Sequence, residues 1–323
     1  MSLASRVRWA TLARRLPIPF VIGGALFLGS RSFIYHASSL GIDAHIYYGG
    51  VQAWLSGGDP WNAAYHGLHF ATVPWALPIL APFAILPESL FVVVWILLDA
   101  IAAVYLVRRS GLSWAWLAFP PVVQGILDGN PAIVGLALIV AGAAPIGLML
   151  RPQAGFILFG ERRWRAVALT LALAAVLLAV IPLGTFVREL PTIVARYAVE
   201  SRGGATGGTP LALAVGIVSV LALATVDLRE AGWLATIVAV PINGWYAGAA
   251  ALPILNPLLA IGLSIPIVGA PVATVAIYAA VRLALRRFRW PWLERAAGPL
   301  VERTAGSQPS AGSHITSSAA RAK

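Results

Sequence analysis

The chain has 323 residues, 59% hydrophobic and only 11% charged, with a mean hydropathy of +0.82, whereas soluble domains carry roughly 25% charged residues. Such a chain cannot cover itself with polar surface, which predicts a multi-pass integral protein of the plasma membrane. The net charge of +11 points to membrane orientation and not to nucleic acid, because the arginines fall in short runs between apolar segments: Arg6, Arg8, Arg14 and Arg15; Arg108 and Arg109; Arg162, Arg163 and Arg165; Arg286, Arg287 and Arg289. Cysteine is absent and the only lysine is Lys323, which excludes disulfides, zinc–thiolate sites, thiol nucleophiles, Schiff-base chemistry and a P-loop lysine in the body of the chain.

A spanning helix needs about 20 apolar residues. The N-terminal arginines followed by PIPFVIGGALFLG have the outline of a signal peptide, but no small-residue cleavage site follows, so 17–34 reads as a retained first helix. Residues 35–73 interrupt the hydrocarbon with four of the five histidines (His36, His45, His66, His69), two of the five aspartates (Asp43, Asp59) and many aromatics. Further apolar segments lie at 73–87, 89–107, 113–127, 131–149, 166–183, 210–226, 231–248, 250–264 and 267–285, with 152–160 as a short or re-entrant piece. The expectation is an all-α protein of about ten transmembrane helices over 1–295 with a large first extracytoplasmic loop, followed by a disordered cytoplasmic tail at 296–323 that is rich in Ser, Ala and Gly.

Basic residues before 17 put the N-terminus in the cytoplasm, together with the runs at 161–165 and 286–289. The loop at 35–73 then faces outward, as does a second polar loop at 187–209 whose glycines at 203, 204, 207 and 208 predict mobility. Strict alternation of the segments would export Arg108 and Arg109, so either one segment is re-entrant or that pair departs from the rule. No internal repeat of fixed period is visible, which counts against a transporter built from inverted halves.

Asp43 sits about eight residues beyond the first helix, where a carboxylate can take a proton from a bound hydroxyl or, more plainly, cap the helix that follows. Helical spacing puts Asp43, Tyr47 and Gly50 on one face. Asp59 lies in GGDPW, a strong turn signal, and a structural role there outweighs a ligand role. His45, His66 and His69 match no metal-ligand spacing and read as interfacial residues bonded to loop backbone. Within the apolar segments the exceptions are Asp99, Asp128 and Arg151, and intramembrane ionisable groups mark function by default. Asp128 precedes the helix break Gly129-Asn130-Pro131, and Arg151 precedes a proline, a position suited either to holding a phosphate or to anchoring a helix end.

Together these segments resemble glycosyltransferase family 87, membrane enzymes of the GT-C fold that include polyprenol-phosphate-mannose-dependent α-mannosyltransferases. The features that carry the resemblance are Asp43 followed by Tyr47 and Tyr48; the turn Gly57, Asp59, Pro60, Trp61; the prolines Pro74, Pro78 and Pro82 ending in Leu86-Pro87; Gly129-Asn130; Arg151-Pro152; and Arg163-Trp164-Arg165. The match covers about 40–165. Two departures stand out: ATGGTPL where the family often has a polar motif, and Trp245 and Tyr246 in a region where it often has a histidine.

The resemblance implies an inverting transfer of a hexose, mannose first, from a polyprenyl-phosphate-sugar donor to a lipid or glycan acceptor at the outer face, with Asp43 as general base. Arg151 or Arg202 would meet the phosphate, and His45, Tyr47, Tyr48, Asp59, Trp61, Trp245 and Tyr246 would contact substrate. No cofactor or bound metal is expected, with a metal held by Asp43 and His45 on an extended segment as the lesser alternative; the expected partners are membrane lipids and the two substrates, with no nucleic acid. A membrane transporter or flippase, with Asp99, Asp128 and Arg151 lining a path, is the alternative from another class.

Overall fold

A computed structural model describes residue 24 and residues 40–200, 209–240, 244–265 and 267–288. The expected first helix, apart from residue 24, and the tail at 296–323 lie outside the described residues. Helix accounts for 75% and strand for 2% of the described residues, an all-α composition. Among the described residues one helix, Glu88–Arg109, is long and apolar enough to cross a membrane, and a second crossing is possible only if the bent pair Pro120–Asp128 and Ala132–Ala141 counts as one.

In chain order the helices are α1 (Ile42–Leu55), α2 (Ala76–Leu80), α3 (Glu88–Arg109), α4 (Pro120–Asp128), α5 (Ala132–Ala141), α6 (Ala144–Leu150), α7 (Gly155–Gly160), α8 (Trp164–Leu177), α9 (Leu183–Glu200), α10 (Pro210–Ala224), α11 (Leu228–Val238), α12 (Pro257–Leu263) and α13 (Ala270–Phe288). Two two-residue strands, β1 (Ala64–Tyr65) and β2 (Leu68–His69), pair antiparallel with Ala64 opposite His69. Short 3-10 turns cover Pro60–Asn62, Trp114–Ala118, Pro152–Ala154 and the longer stretch Trp245–Ile254.

Proline and glycine explain why several apolar runs are not single spans. In 73–87 only α2 is helical, because Pro74, Pro78, Pro82 and Pro87 each remove a backbone donor. The run 113–127 begins as a 3-10 turn and turns into α4 at Pro120-Pro121. The run 131–149 breaks at Gly142, whose φ of 98° suits a residue without Cβ, and α5 and α6 pack side by side with Gly147 against the carbonyl of Gly135. Runs 231–248 and 250–264 likewise divide, into α11, the Trp245–Ile254 turn and α12. The second polar loop is the clearest correction: residues 183–200 form helix α9 through Pro191 rather than a loop, and the glycine-rich residues 201–208 lie outside the described residues.

Two apolar clusters organise the packing. One joins α1 and α2 to the first half of α3 around Trp61, Phe70, Phe91 and Trp95; the other joins the second half of α3 to α4, α5, α11 and α13. Small residues allow close approach, as where Gly160 of α7 meets Gly232 of α11. By contrast α8 buries no residue, and Leu97, Ile101, Leu169, Leu171, Val176, Leu211, Val218 and Leu221 stand exposed.

A polar cluster gathers the basic run at 161–165 with α11 and α13. Glu161 accepts from Trp233 Nε1 at 3.0 Å and pairs with Arg163 and Arg229. Arg282 pairs with buried Glu230 at 3.1 Å, and Arg286 donates to the carbonyl of Thr225.

Candidate functional site

The site is built on a crossing of two chain segments. Gly41 caps α1 in the left-handed conformation, with φ 73°, and its N–H donates to the carbonyl of Leu127 at 2.7 Å. A Cβ at Gly41 would collide with Val92 of α3, so only glycine fits. Facing it, Gly129 ends α4 with φ 64°, and a Cβ there would stand 2.9 Å from Ala44. The two glycines bring the start of α1 onto the break between α4 and α5, whose axes bend by 113°.

At this crossing the side chain of Asn130 donates from Nδ2 to Asp43 Oδ2 at 2.5 Å, while its Oδ1 accepts from the backbone N–H of Ala132 at 2.9 Å. Gly41 takes the N-cap position of α1 and Asp43 stands inside its first turn, so the capping alternative does not describe it. Burial pushes the Asp43 carboxyl up to about 6, against the opposing pull of the Asn130 hydrogen bond. A carboxyl poised there changes charge close to neutral pH, the range in which a general base works best.

Beside the crossing lies a cavity of about 520 Å³. Its polar wall is formed by Tyr47, Thr72, Asn130, Arg151, Gln153 and Tyr246, and its apolar wall by Phe156, Phe159, Phe186, Leu190, Ile193 and Val194. Arg151 is fully buried. It sits at the joint where α6 passes into the Pro152–Ala154 turn, which Pro152 starts. Asp43 borders the cavity rather than lining it: Asn130 stands in the wall, and Tyr47 lies one helical turn along α1. On the apolar wall Phe156, Phe159, Leu190 and Val194 are exposed at their outer edges. The cavity is therefore amphiphilic, its lining combining the buried Arg151 and other polar residues with apolar side chains that reach the surface.

The other expected residues divide between the cavity and its supports. Tyr47, Arg151 and Tyr246 line it. Trp61 is buried, donates from Nε1 to the carbonyl of Thr72 at 3.0 Å and lies 5.2 Å from the Phe186 ring. Asp59 holds its turn by accepting from Trp61 N–H at 3.0 Å and Asn62 Nδ2 at 2.9 Å, the structural role its GGDPW context predicts. His45 pairs with the Glu88 side chain at 2.7 Å and stacks on Tyr65, so its partner is a carboxylate where loop backbone was expected. Tyr48 packs on Phe91, and Trp245 donates to the carbonyl of Leu263 at 2.8 Å. Arg202 lies outside the described residues. Among the described residues no three His, Cys, Asp or Glu side chains converge as a metal site.

Sequence reasoning missed the contribution of α9. Phe186, Leu190, Ile193 and Val194 follow helical spacing, a signal present in the chain but masked by the glycines that come next. Asn130 was legible as a helix break but not as the partner of Asp43, because that contact joins residues 87 positions apart. Comparison with protein-family models, curated proteins and solved structures finds no match.

Proposed function

We propose that the protein is an integral membrane glycosyltransferase of GT-C-like architecture that moves a hexose, mannose first, from a polyprenyl-phosphate-linked donor to a lipid or glycan hydroxyl at the outer membrane face. The observation that carries this reading is the pairing of a base-competent carboxyl, Asp43, with a cavity of mixed polar and apolar lining that includes the fully buried Arg151. An anionic head group suits Arg151, since guanidinium matches phosphate geometry and keeps its charge. A lipid tail fits the flank of Phe156, Phe159, Leu190 and Val194 and can leave it into hydrocarbon. The exposed leucines, valines and isoleucines of α3, α8 and α10 support a lipid surrounding.

In the proposed step the acceptor oxygen attacks the anomeric carbon while the bond from that carbon to the phosphate oxygen breaks. Asp43 takes the acceptor proton, and polyprenyl phosphate leaves with the bonding pair. The phosphate is already a competent leaving group, so the chain's task is orientation and charge stabilisation. Arg151 supplies the positive charge, and Tyr47, Gln153 and Tyr246 supply polar contacts to the sugar. Inversion follows because the acceptor oxygen attacks the face of the anomeric carbon opposite the departing phosphate.

A second reading, a transporter or flippase, draws on Asp99. Its carboxyl is fully buried midway along α3, the one described helix of spanning length, and such groups mark ion pathways in transport proteins. Membranes containing the protein, labelled polyprenyl-phosphate mannose and lipid extract separate the two. Label transferred to a new covalent product supports the transferase; label crossing vesicles with its donor bond intact supports the transporter.

A further inference from the structure

We infer that Asn130 is a positioning residue that holds Asp43 in register and leaves its second carboxylate oxygen, Oδ1, for the incoming hydroxyl, a role that rests on the transferase reading of this site. The orientation of the Asn130 amide is fixed by its neighbours. Ala132 N–H donates to Oδ1, so the NH₂ group must point the other way, and there it meets Asp43 Oδ2 at 2.5 Å. Asn130 is 4% exposed, so water does not compete for that donor. It also belongs to the cavity wall, which places the anchored carboxylate next to the space where substrate is proposed to bind.

Asp43 acts electrostatically on two further carboxyl groups, Asp99 of α3 and Asp128 at the end of α4. On its own helix, the next titratable neighbour, His45, is engaged with Glu88 and Tyr65. Asn130 is the side chain that hydrogen-bonds the charged form of Asp43, and it holds the carboxylate within the crossing formed by Gly41 and Gly129. Asn130 has two separable tasks: its Oδ1 caps the start of α5, and its Nδ2 holds Asp43.

Asn130→Ser separates them, because a serine hydroxyl can still cap α5 while the amide donor is gone. In full-length protein in nanodiscs, infrared titration of the carboxyl C=O band, assigned to Asp43 by subtracting Asp43→Asn, reads the contact without any assay of activity. We expect Asn130→Ser to titrate Asp43 about one pH unit higher than wild type, as loss of one hydrogen bond to a carboxylate predicts. We also expect kcat to fall about 100-fold with KM nearly unchanged, as loss of alignment predicts. Asn130→Thr, the same cap in a bulkier side chain, replaces it if Asn130→Ser does not fold. A midpoint unmoved from wild type in a folded variant overturns the positioning role. A midpoint moved in Asn130→Ser, together with wild-type protein that transfers no sugar, upholds the Asn130–Asp43 contact and removes the transferase reading.

Discussion

Arg196 of α9 reaches back 135 positions to the carbonyl of Trp61, donating from Nη1 at 3.2 Å and also contacting Asn62 Oδ1 at 3.3 Å. Nearly three turns earlier on α9, Phe186 packs on the Trp61 ring. These contacts join the two polar regions of the sequence and set four α9 side chains along the apolar wall of the cavity.

Arg196→Ala therefore loosens that wall. A hydrogen bond from a charged donor contributes about 1.5–3 kcal/mol, part of it screened here because Asn62 is exposed. We expect faster hydrogen exchange across α9 and a KM for the lipid donor raised about fivefold, while kcat changes little. Exchange mass spectrometry of the nanodisc-embedded variant reads the first effect, and initial rates the second.

The raised Asp43 carboxyl sets the pH dependence. A base must be ionised to take a proton, and burial moves its midpoint to about 6. Transfer should be slow at pH 5, rise through a midpoint near 6 and level off above 7, with the fall at low pH due to protonation of Asp43. A profile of kcat/KM between pH 4.5 and 8 checks this. A limb near 4 would mean an Asp43 exposed to water.

Arg151→Gln removes the charge and keeps much of the side-chain length. Loss of a preorganised group that stabilises developing charge costs about 10²–10³ in kcat. We expect a fall in that range with α-helical content preserved by circular dichroism. Arg151→Lys should recover part of it, because a point charge substitutes incompletely for a planar guanidinium.

Glu230 and Arg282 make a stability prediction remote from the cavity. Their side chains are 4% and 19% exposed, and breaking one partner of a buried pair costs about 3–5 kcal/mol. Glu230→Gln is expected to lower the apparent melting temperature in detergent by several degrees, and the double change Glu230→Leu with Arg282→Met to recover much of it.

The sequence made several of these features legible, and the reasons are physical. The long apolar run of α3 and the turn at Asp59 could be read from local pattern, since each is decided by neighbours in the chain. The side-chain partners of His45 and Asp43 could not, because Glu88 and Asn130 are brought to them by tertiary packing. Apolar length alone overstated continuity at 73–87 and 131–149, where helix stops short of Pro82 and breaks at Gly142. In α9 the opposite error occurred: polar residues such as Arg188, Glu189 and Arg196 suggested a loop, whereas they occupy one side of an amphipathic helix.

The transfer of labelled mannose from polyprenyl phosphate to lipid or glycan acceptor, compared between membranes containing wild-type protein and Asp43→Asn, is the most direct measurement. A labelled covalent product with wild type and loss of about 10²–10⁴ in rate with Asp43→Asn, the range for a general base, is the predicted result. No transfer by folded wild-type protein, or full transfer by Asp43→Asn, contradicts the assignment of Asp43 as the base of a membrane glycosyltransferase.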